Sequence, residues 1–243
     1  MKFDRVTCDK CGKEMGANWL TRHQKTCKGV DRETGKTEIV YVLDETGSMN
    51  RIRHDTIGGF NSFLREQKAV PGEATVSLRM FSSFSGDKKV RSIYDGRAIA
   101  NAPELTAASY RPRGMTPLLD AVGVTIKEVE LRLEKSGEKP LVIFVVMTDG
   151  LENDSREYDA KTIKRMVETK VDHFGWKFVF LGANMDAWAV GTGMGMQDMG
   201  TQTFEATPLG VKKAYSMTTS QVTNLRVTRG EYKDWDKIST DGS

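Results

Sequence analysis

The sequence predicts an α/β fold: a doubly wound, mostly parallel sheet with helices on both faces and a small appendage at the N-terminus. Three observations predict it. Continuous apolar runs at Ile39–Leu43, Leu141–Met147 and Lys177–Leu181 are too short for helices and read as strands buried on both faces. Stretches with apolar residues at helical spacing separate them. The chain of 243 residues is long enough for one sizeable core plus a small unit, and too short for two large domains.

Taken in order, residues 28–37 are polar and glycine-containing, a linker between the appendage and the main body. Ile39–Leu43 is the first strand. Ile52–Gln67 carries Ile57, Phe60, Phe63 and Leu64 on one helical face. Glu73–Ser82 alternates as a strand, and Lys89–Tyr94 is expected to return beside it as a hairpin. Pro117–Glu134 is a long amphipathic helix with Leu118, Leu119, Val122, Ile126, Val129 and Leu133 on one side. Leu141–Met147 is the second buried strand. Lys161–Val171 reads as a helix, Lys177–Leu181 as the third buried strand and Asp186–Gly191 as a short helix. Residues 209–225 form a last helix, and 229–243 a polar tail. The expected division is 1–30, 31–37 as linker, 38–228 and 229–243.

Hydrophobic residues make up 38% and charged residues 28% of the chain, which suits a soluble globular protein and argues against a disordered one. No apolar run approaches the roughly 18 residues of a membrane span, and the first ten residues lack the apolar core of a signal peptide. A cytoplasmic location is expected. Net charge is +3, unevenly placed: residues 1–36 hold nine basic and five acidic side chains, and the other 207 hold 27 and 28. The basic excess therefore lies in the N-terminal segment.

All the cysteines lie in that segment. Cys8 and Cys11 form C-x2-C, His23 and Cys27 form H-x3-C, and eleven residues separate the pairs. That spacing supplies four soft or borderline ligands to a tetrahedral Zn²⁺. About thirty residues cannot build a core alone, so a metal staple is what such a unit needs. CDKCGKEMGANWLTRHQKTC, residues 8–27, resembles zinc fingers of the two-cysteine, histidine, cysteine type. The resemblance implies a closed structural site and a nucleic-acid- or protein-binding role. Lys10, Lys13, Trp19, Arg22 and Lys25 are the candidates for nucleic-acid contact, the cations for phosphates and the indole for a base.

The first strand runs directly into Asp44, Thr46 and Ser48 (DETGS), and the second into Asp149 (TDG). RGMTPLLD sets Thr116 just ahead of a helix that begins at a proline. In open parallel sheets, ligands bind at the carboxyl ends of strands. Two carboxylates and three hydroxyls there form a hard-oxygen set that suits Mg²⁺, with Mn²⁺ or Ca²⁺ as alternatives. D-x-T-G-S-M, T-P-L-x-D-A and T-D-G, each after the right element, resemble the von Willebrand factor A domain and its metal-ion-dependent adhesion site (MIDAS). FLGANMDAWAVGTGMG (180–195) is similar to the fifth-strand region of bacterial and phage members. The resemblance implies a Rossmann-like fold over roughly residues 37–210. It also implies that Asp44, Thr46, Ser48, Thr116 and Asp149 hold the ion, and that a partner's Asp or Glu completes its coordination.

An aspartate-nucleophile phosphohydrolase would also place Asp after a buried strand, and Asp154 of TDGLEND matches its metal-binding end. Such enzymes need an acid two residues after the nucleophile, and position 46 is Thr. GTGMGMQDMG (191–200) lacks the Lys-Ser/Thr of a phosphate loop, so packing is expected of its methionines. His54 is expected to be solvated at the start of a helix, and His173 to lie in a polar loop. The reading is of a non-enzymatic, metal-dependent protein-binding module with a zinc finger as second contact. The alternatives are a nucleic-acid-associated factor acting through the basic finger and, more remotely, a Mg²⁺-dependent phosphohydrolase.

Overall fold

A computed structural model describes residues 5–8, 14–16, 20, 35–87, 89–196 and 201–230. The order along the chain is β1 (Arg5–Thr7), β2 (Glu14–Gly16), β3 (Thr37–Asp44), α1 (Arg53–Ala69), β4 (Ala74–Phe81), β5 (Val90–Ala98), α2 (Leu118–Ser136), β6 (Leu141–Thr148), α3 (Ala160–Phe174), β7 (Lys177–Ala183), α4 (Ala187–Gly193), β8 (Gln202–Phe204) and α5 (Pro208–Val227). Strands β3 to β8 form one six-stranded sheet in the order β5-β4-β3-β6-β7-β8. All pairs are parallel except β4 with β5, as the short connection between those two strands requires.

Alternation along the central strands divides the core in two. Ile39, Tyr41 and Leu43 of β3, with Ile143, Val145 and Met147 of β6, face α1 and α5 through Phe60, Phe63, Val211, Tyr215 and Val222. Val40 and Val42, with Val142, Phe144 and Val146, face α2 and α3 through Val122, Ile126, Val129, Ile163 and Val167. Strands covered on both faces have no solvent side, which is why they read as unbroken apolar runs. Met194 and Met196 are buried in the second cluster, the packing role expected of them.

The helix boundaries follow local chemistry. Asp159 caps α3 by accepting the Thr162 N–H at 2.7 Å, and Thr207 caps α5 by accepting that of Gly210 at 3.1 Å with Pro208 next in line, a favoured order at helix starts. Gly137 and Gly175 end α2 and α3 at φ of 72° and 67°, a left-handed stop that favours glycine.

Several expectations shift. A 3-10 helix over Gly47–Ile52 precedes α1, so the α-helix begins at Arg53. β3 starts at Thr37, one residue inside the expected linker, and Lys36 O accepts the Leu141 N–H at 3.0 Å. β8, three residues long, is too short for alternation to reveal. His173 lies in the last turn of α3 rather than in a loop, and His54 is exposed on α1 as expected.

At the N-terminus, β1 and β2 form an antiparallel pair, and Cys8, which follows β1, is buried. Cys11, His23 and Cys27, with Lys10, Lys13, Trp19, Arg22 and Lys25, lie outside the described residues, as does the tail beyond residue 230. Among the described residues no helix is long and apolar enough to cross a membrane.

Candidate metal-binding rim at the carboxyl ends of the strands

The chain leaves β3 toward β4 on one side and later returns to β6 on the other. The point between β3 and β6 is therefore the sheet's topological switch, where open α/β sheets bind ligands. Asp44 is the last residue of β3, and Asp149 follows the last residue of β6.

Asp44 is fully buried. Its Oδ1 accepts the Thr46 N–H at 2.7 Å and its Oδ2 the Thr148 hydroxyl at 2.5 Å. Thr46 and Ser48 share a hydroxyl contact of 3.2 Å, and the Ser48 hydroxyl donates to Asp149 Oδ1 at 2.5 Å. Four of the five predicted residues thus form one continuous polar chain. Thr116 completes the set: a Cβ on Gly150 would lie 2.9 Å from its Oγ1 and 3.7 Å from Ser48 Oγ. Only a residue without a side chain leaves that space open between the two hydroxyls.

Backbone bonds hold the three loops together. Gly47 N–H donates to Gly114 O at 3.0 Å and Asn153 N–H to Thr116 O at 3.1 Å, while Asn153 Oδ1 accepts the Thr116 N–H at 2.7 Å. Asp120 of TPLLD is buried, and its carboxylate accepts the amides of Arg156, Glu157 and Tyr158 at 2.8, 2.9 and 3.0 Å. It shapes the third loop.

Burial pushes the Asp44 carboxyl up to about 7; the Thr148 and Thr46 donors oppose the shift, and the nearby Asp149 adds to it. Burial raises Asp149 as well, opposed by Ser48 and Arg51. Asp149 Oδ2 is buried without a hydrogen bond; its one positive neighbour is the exposed Arg51 guanidinium, in a long ion pair of 3.6 Å that a solvated side chain makes weak. Two buried carboxylates and an unsatisfied oxygen are costly unless a positive charge joins them. Three hydroxyls and two carboxylates suit a hard divalent cation. Among the described residues no three His, Cys, Asp or Glu side chains gather as a metal group, so hydroxyls must supply most of the ligands.

Sequence reasoning missed several supports. Thr148 reads as the end of an apolar strand, yet it holds Asp44. Tyr110, from a connection without periodicity, donates its hydroxyl to Asp44 O at 2.6 Å. Glu45 points away from Asp44 and is clamped by Arg91 at 2.8 and 2.7 Å. Asp154, a metal candidate for a hydrolase, is instead paired with Lys89 at 2.7 Å.

No protein-family model matches the sequence, and no curated protein does. Solved structures do. The PilB minor pilin of Streptococcus sanguinis superposes with a TM-score of 0.55 at 13% identity, over 77% of this chain and 61% of that one. Proximal thread matrix protein 1 of the mussel byssus gives 0.53 at 13%, over 80% and 47%; another structure of that protein has a zinc-occupied MIDAS motif. The pilus adhesin SpaC of Lactobacillus rhamnosus GG gives 0.56 at 15%, over 77% and 30%. The chain spans less than two thirds of each of these structures. At such identities the likeness shows the fold alone: an α/β fold with a mostly parallel sheet, consistent with the von Willebrand factor A-like architecture that the sequence motifs resemble.

Proposed function

We propose that this chain is a metal-dependent protein-binding module. Asp44, Thr46, Ser48, Thr116 and Asp149 would hold a divalent cation, with Mg²⁺ favoured and Mn²⁺ or Ca²⁺ as alternatives. The observation that carries the reading is the buried Asp149 Oδ2 without a hydrogen bond, in a set whose other oxygens come from three loops at one end of the sheet. When bound, the ion supplies a positive pole at which an Asp or Glu of a partner protein coordinates. Two carboxylates balance a divalent charge only formally, and the hydroxyls are neutral, so the rim remains attractive to an acid.

The chain's own residues do the positioning. Thr148 and the Thr46 amide orient the Asp44 carboxylate, Ser48 holds Asp149, and Asn153 fixes the Thr116 backbone. Nothing there resembles an activated nucleophile with a neighbouring base, and Thr46 stands where a hydrolase would need an acid, which supports a non-enzymatic role. The segment 1–30, read as a zinc finger with Cys8, Cys11, His23 and Cys27 as ligands, would provide a second contact and add avidity. The resemblance of residues 180–195 to bacterial and phage members points the module to such a setting.

The test is magnesium binding by calorimetry on the full chain, wild type against Asp44→Asn and Thr116→Ala. Heat of binding in the wild type and its loss in both variants is expected. Equal binding in all three proteins would end the proposal.

A further inference from the structure

Beside the rim lies a cleft of about 280 Å³ lined by Glu45, Phe84, Arg91, Arg111 and Arg113, with Ala108 and Ser109 behind. Three guanidinium groups against one carboxylate leave a lining charge of +2 (3 − 1). The carboxylate is already neutralised. Arg91 grips Glu45 with both ends of its fork at 2.7 and 2.8 Å and also donates to Ser109 O at 2.6 Å, and the Arg111 amide donates to Glu45 Oε1 at 2.6 Å. Arg111 and Arg113 are exposed, and no described acid pairs with either guanidinium. Arg113 lies over the Phe84 ring, 5.3 Å from its centroid, a contact that holds the cation at the mouth of the cleft.

The cleft is physically continuous with the rim. Glu45 stands between Asp44 and Thr46, and its carbonyl accepts the Arg113 N–H at 2.9 Å. Arg113 precedes Thr116 by three residues, so their Cα atoms are at most about 11 Å apart. An apolar fringe surrounds both. Phe84, Met115 and Leu151 are 63, 51 and 62% exposed, each on a loop of the rim, and Ser83 and Met115 are bonded to each other at 3.1 and 2.9 Å. Exposed aromatic, Met and Arg side chains around a polar centre match the composition of a protein interface. The main body, residues 38–228, has as many acids as bases and lacks the broad positive field that a nucleic-acid surface carries.

We propose that this cleft is a second anionic subsite: the partner is a protein segment with two acidic side chains, one for the metal rim and one for Arg111 and Arg113. The inference rests on the metal-rim reading for the first acid and on the cleft alone for the second. An extended segment rises about 3.3 Å per residue, so the span calls for acids about two to four residues apart. Fixing the second acid would set the partner's register, a selectivity that a single coordinated carboxylate lacks.

The experiment immobilises the full chain and measures retention of synthetic probes on the column in Mg²⁺. The probes are Gly/Ser peptides with one Asp, the same peptides with two Asp at spacings of two to four, and a short oligouridylate. Wild type is expected to bind the best two-Asp peptide about three- to thirtyfold more tightly than the one-Asp peptide, the range of two partly exposed ion pairs. Arg111→Ala/Arg113→Ala should lose that preference while keeping Mg²⁺-dependent retention of the one-Asp peptide. Asp44→Asn should lose the Mg²⁺ dependence. A two-Asp preference that survives in the double arginine variant would overturn the subsite. Retention of oligouridylate tighter than of any peptide, and lost in Arg111→Ala/Arg113→Ala, would overturn the assignment to a protein partner. Mg²⁺-independent retention in the wild type with an arginine-dependent two-Asp preference would overturn the metal reading and leave the cleft standing.

Discussion

Thr148→Val isolates the support beneath Asp44. The substitution keeps the volume and β-branching of a fully buried residue at the end of β6 and removes one hydroxyl. That hydroxyl donates to Asp44 Oδ2 at 2.5 Å and accepts the Gly150 N–H at 3.1 Å. A hydrogen bond to a charged, buried carboxylate contributes about 1.5–3 kcal/mol, and the orphaned amide costs about 1 kcal/mol more. The carboxylate limits the damage by binding a proton. Its folded-state pKa of about 7 already lies above the value of about 3.9 in an unfolded chain. Folding therefore takes up a proton, a stabilisation complete below about pH 4 and lost as pH rises through about 7.

The variant should consequently lose about 2–4 kcal/mol at pH about 7.5, where Asp44 is largely ionised. At pH about 5.5, where Asp44 is protonated, about 1–2 kcal/mol should remain. Urea unfolding of both proteins at the two pH values measures this directly. Repeating it with Mg²⁺ asks whether the loosened carboxylate still serves an ion; the metal-dependent gain in stability should shrink. Equal stability of the two proteins at pH about 7.5, with an unchanged magnesium effect, would refute the assignment of Thr148 as the positioner of Asp44.

Gly150→Ala puts a methyl 2.9 Å from Thr116 Oγ1. The fold should persist while the stabilisation of about 1.4–2.7 kcal/mol expected from an ion at 10–100 times its Kd disappears, as thermal unfolding with and without Mg²⁺ will read. Gly59→Ala pits a helix-propensity gain of about 1 kcal/mol against a methyl built 2.1 Å from the Tyr215 ring. That ring is buried and stacked on Tyr41 at 6.4 Å, so it cannot yield, and the net result should be a loss of about 1–2 kcal/mol in urea unfolding; a gain would contradict the α1–α5 packing. Elemental analysis of the purified chain should find one equivalent of zinc, absent from Cys27→Ala, and retention of zinc by that variant would remove the finger from the proposal.

The layered core was legible because its signal is redundant. Val40, Val42, Val142, Phe144 and Val146 on one face, and Ile39, Tyr41, Leu43, Ile143 and Val145 on the other, leave no charged position between Ile39 and Leu43 or between Leu141 and Met147, as strands covered on both faces require. The antiparallel β5 was legible from the short connection after β4. What escaped was either too short or too local. β8 offers three residues, and the 3-10 turn at Gly47–Ile52 depends on the Gly47 to Gly114 hydrogen bond, a contact between loops 67 residues apart in sequence.

The rim separates ligands from scaffold by a criterion that no sequence pattern carries. TDGLEND and TPLLD offer Asp120, Asp149, Glu152 and Asp154, and by composition any of them could hold a cation. Three amides saturate Asp120. Glu152 accepts the amides of Leu119, Asp154 and Ser155 and the Ser155 hydroxyl, and Asp154 is neutralised by Lys89. Each of these acids spends its lone pairs on shaping the third loop. Asp149 alone among them keeps a buried oxygen without a hydrogen bond, its cation the exposed Arg51 at 3.6 Å, while its other oxygen is held by Ser48. A carboxylate that the fold has satisfied gains little from a metal; one that the fold has desolvated and left unsatisfied gains most. By that measure the scaffold acids exist to hold one unsatisfied oxygen in place, and replacing Asp120 should impair the rim as surely as replacing Asp149 itself.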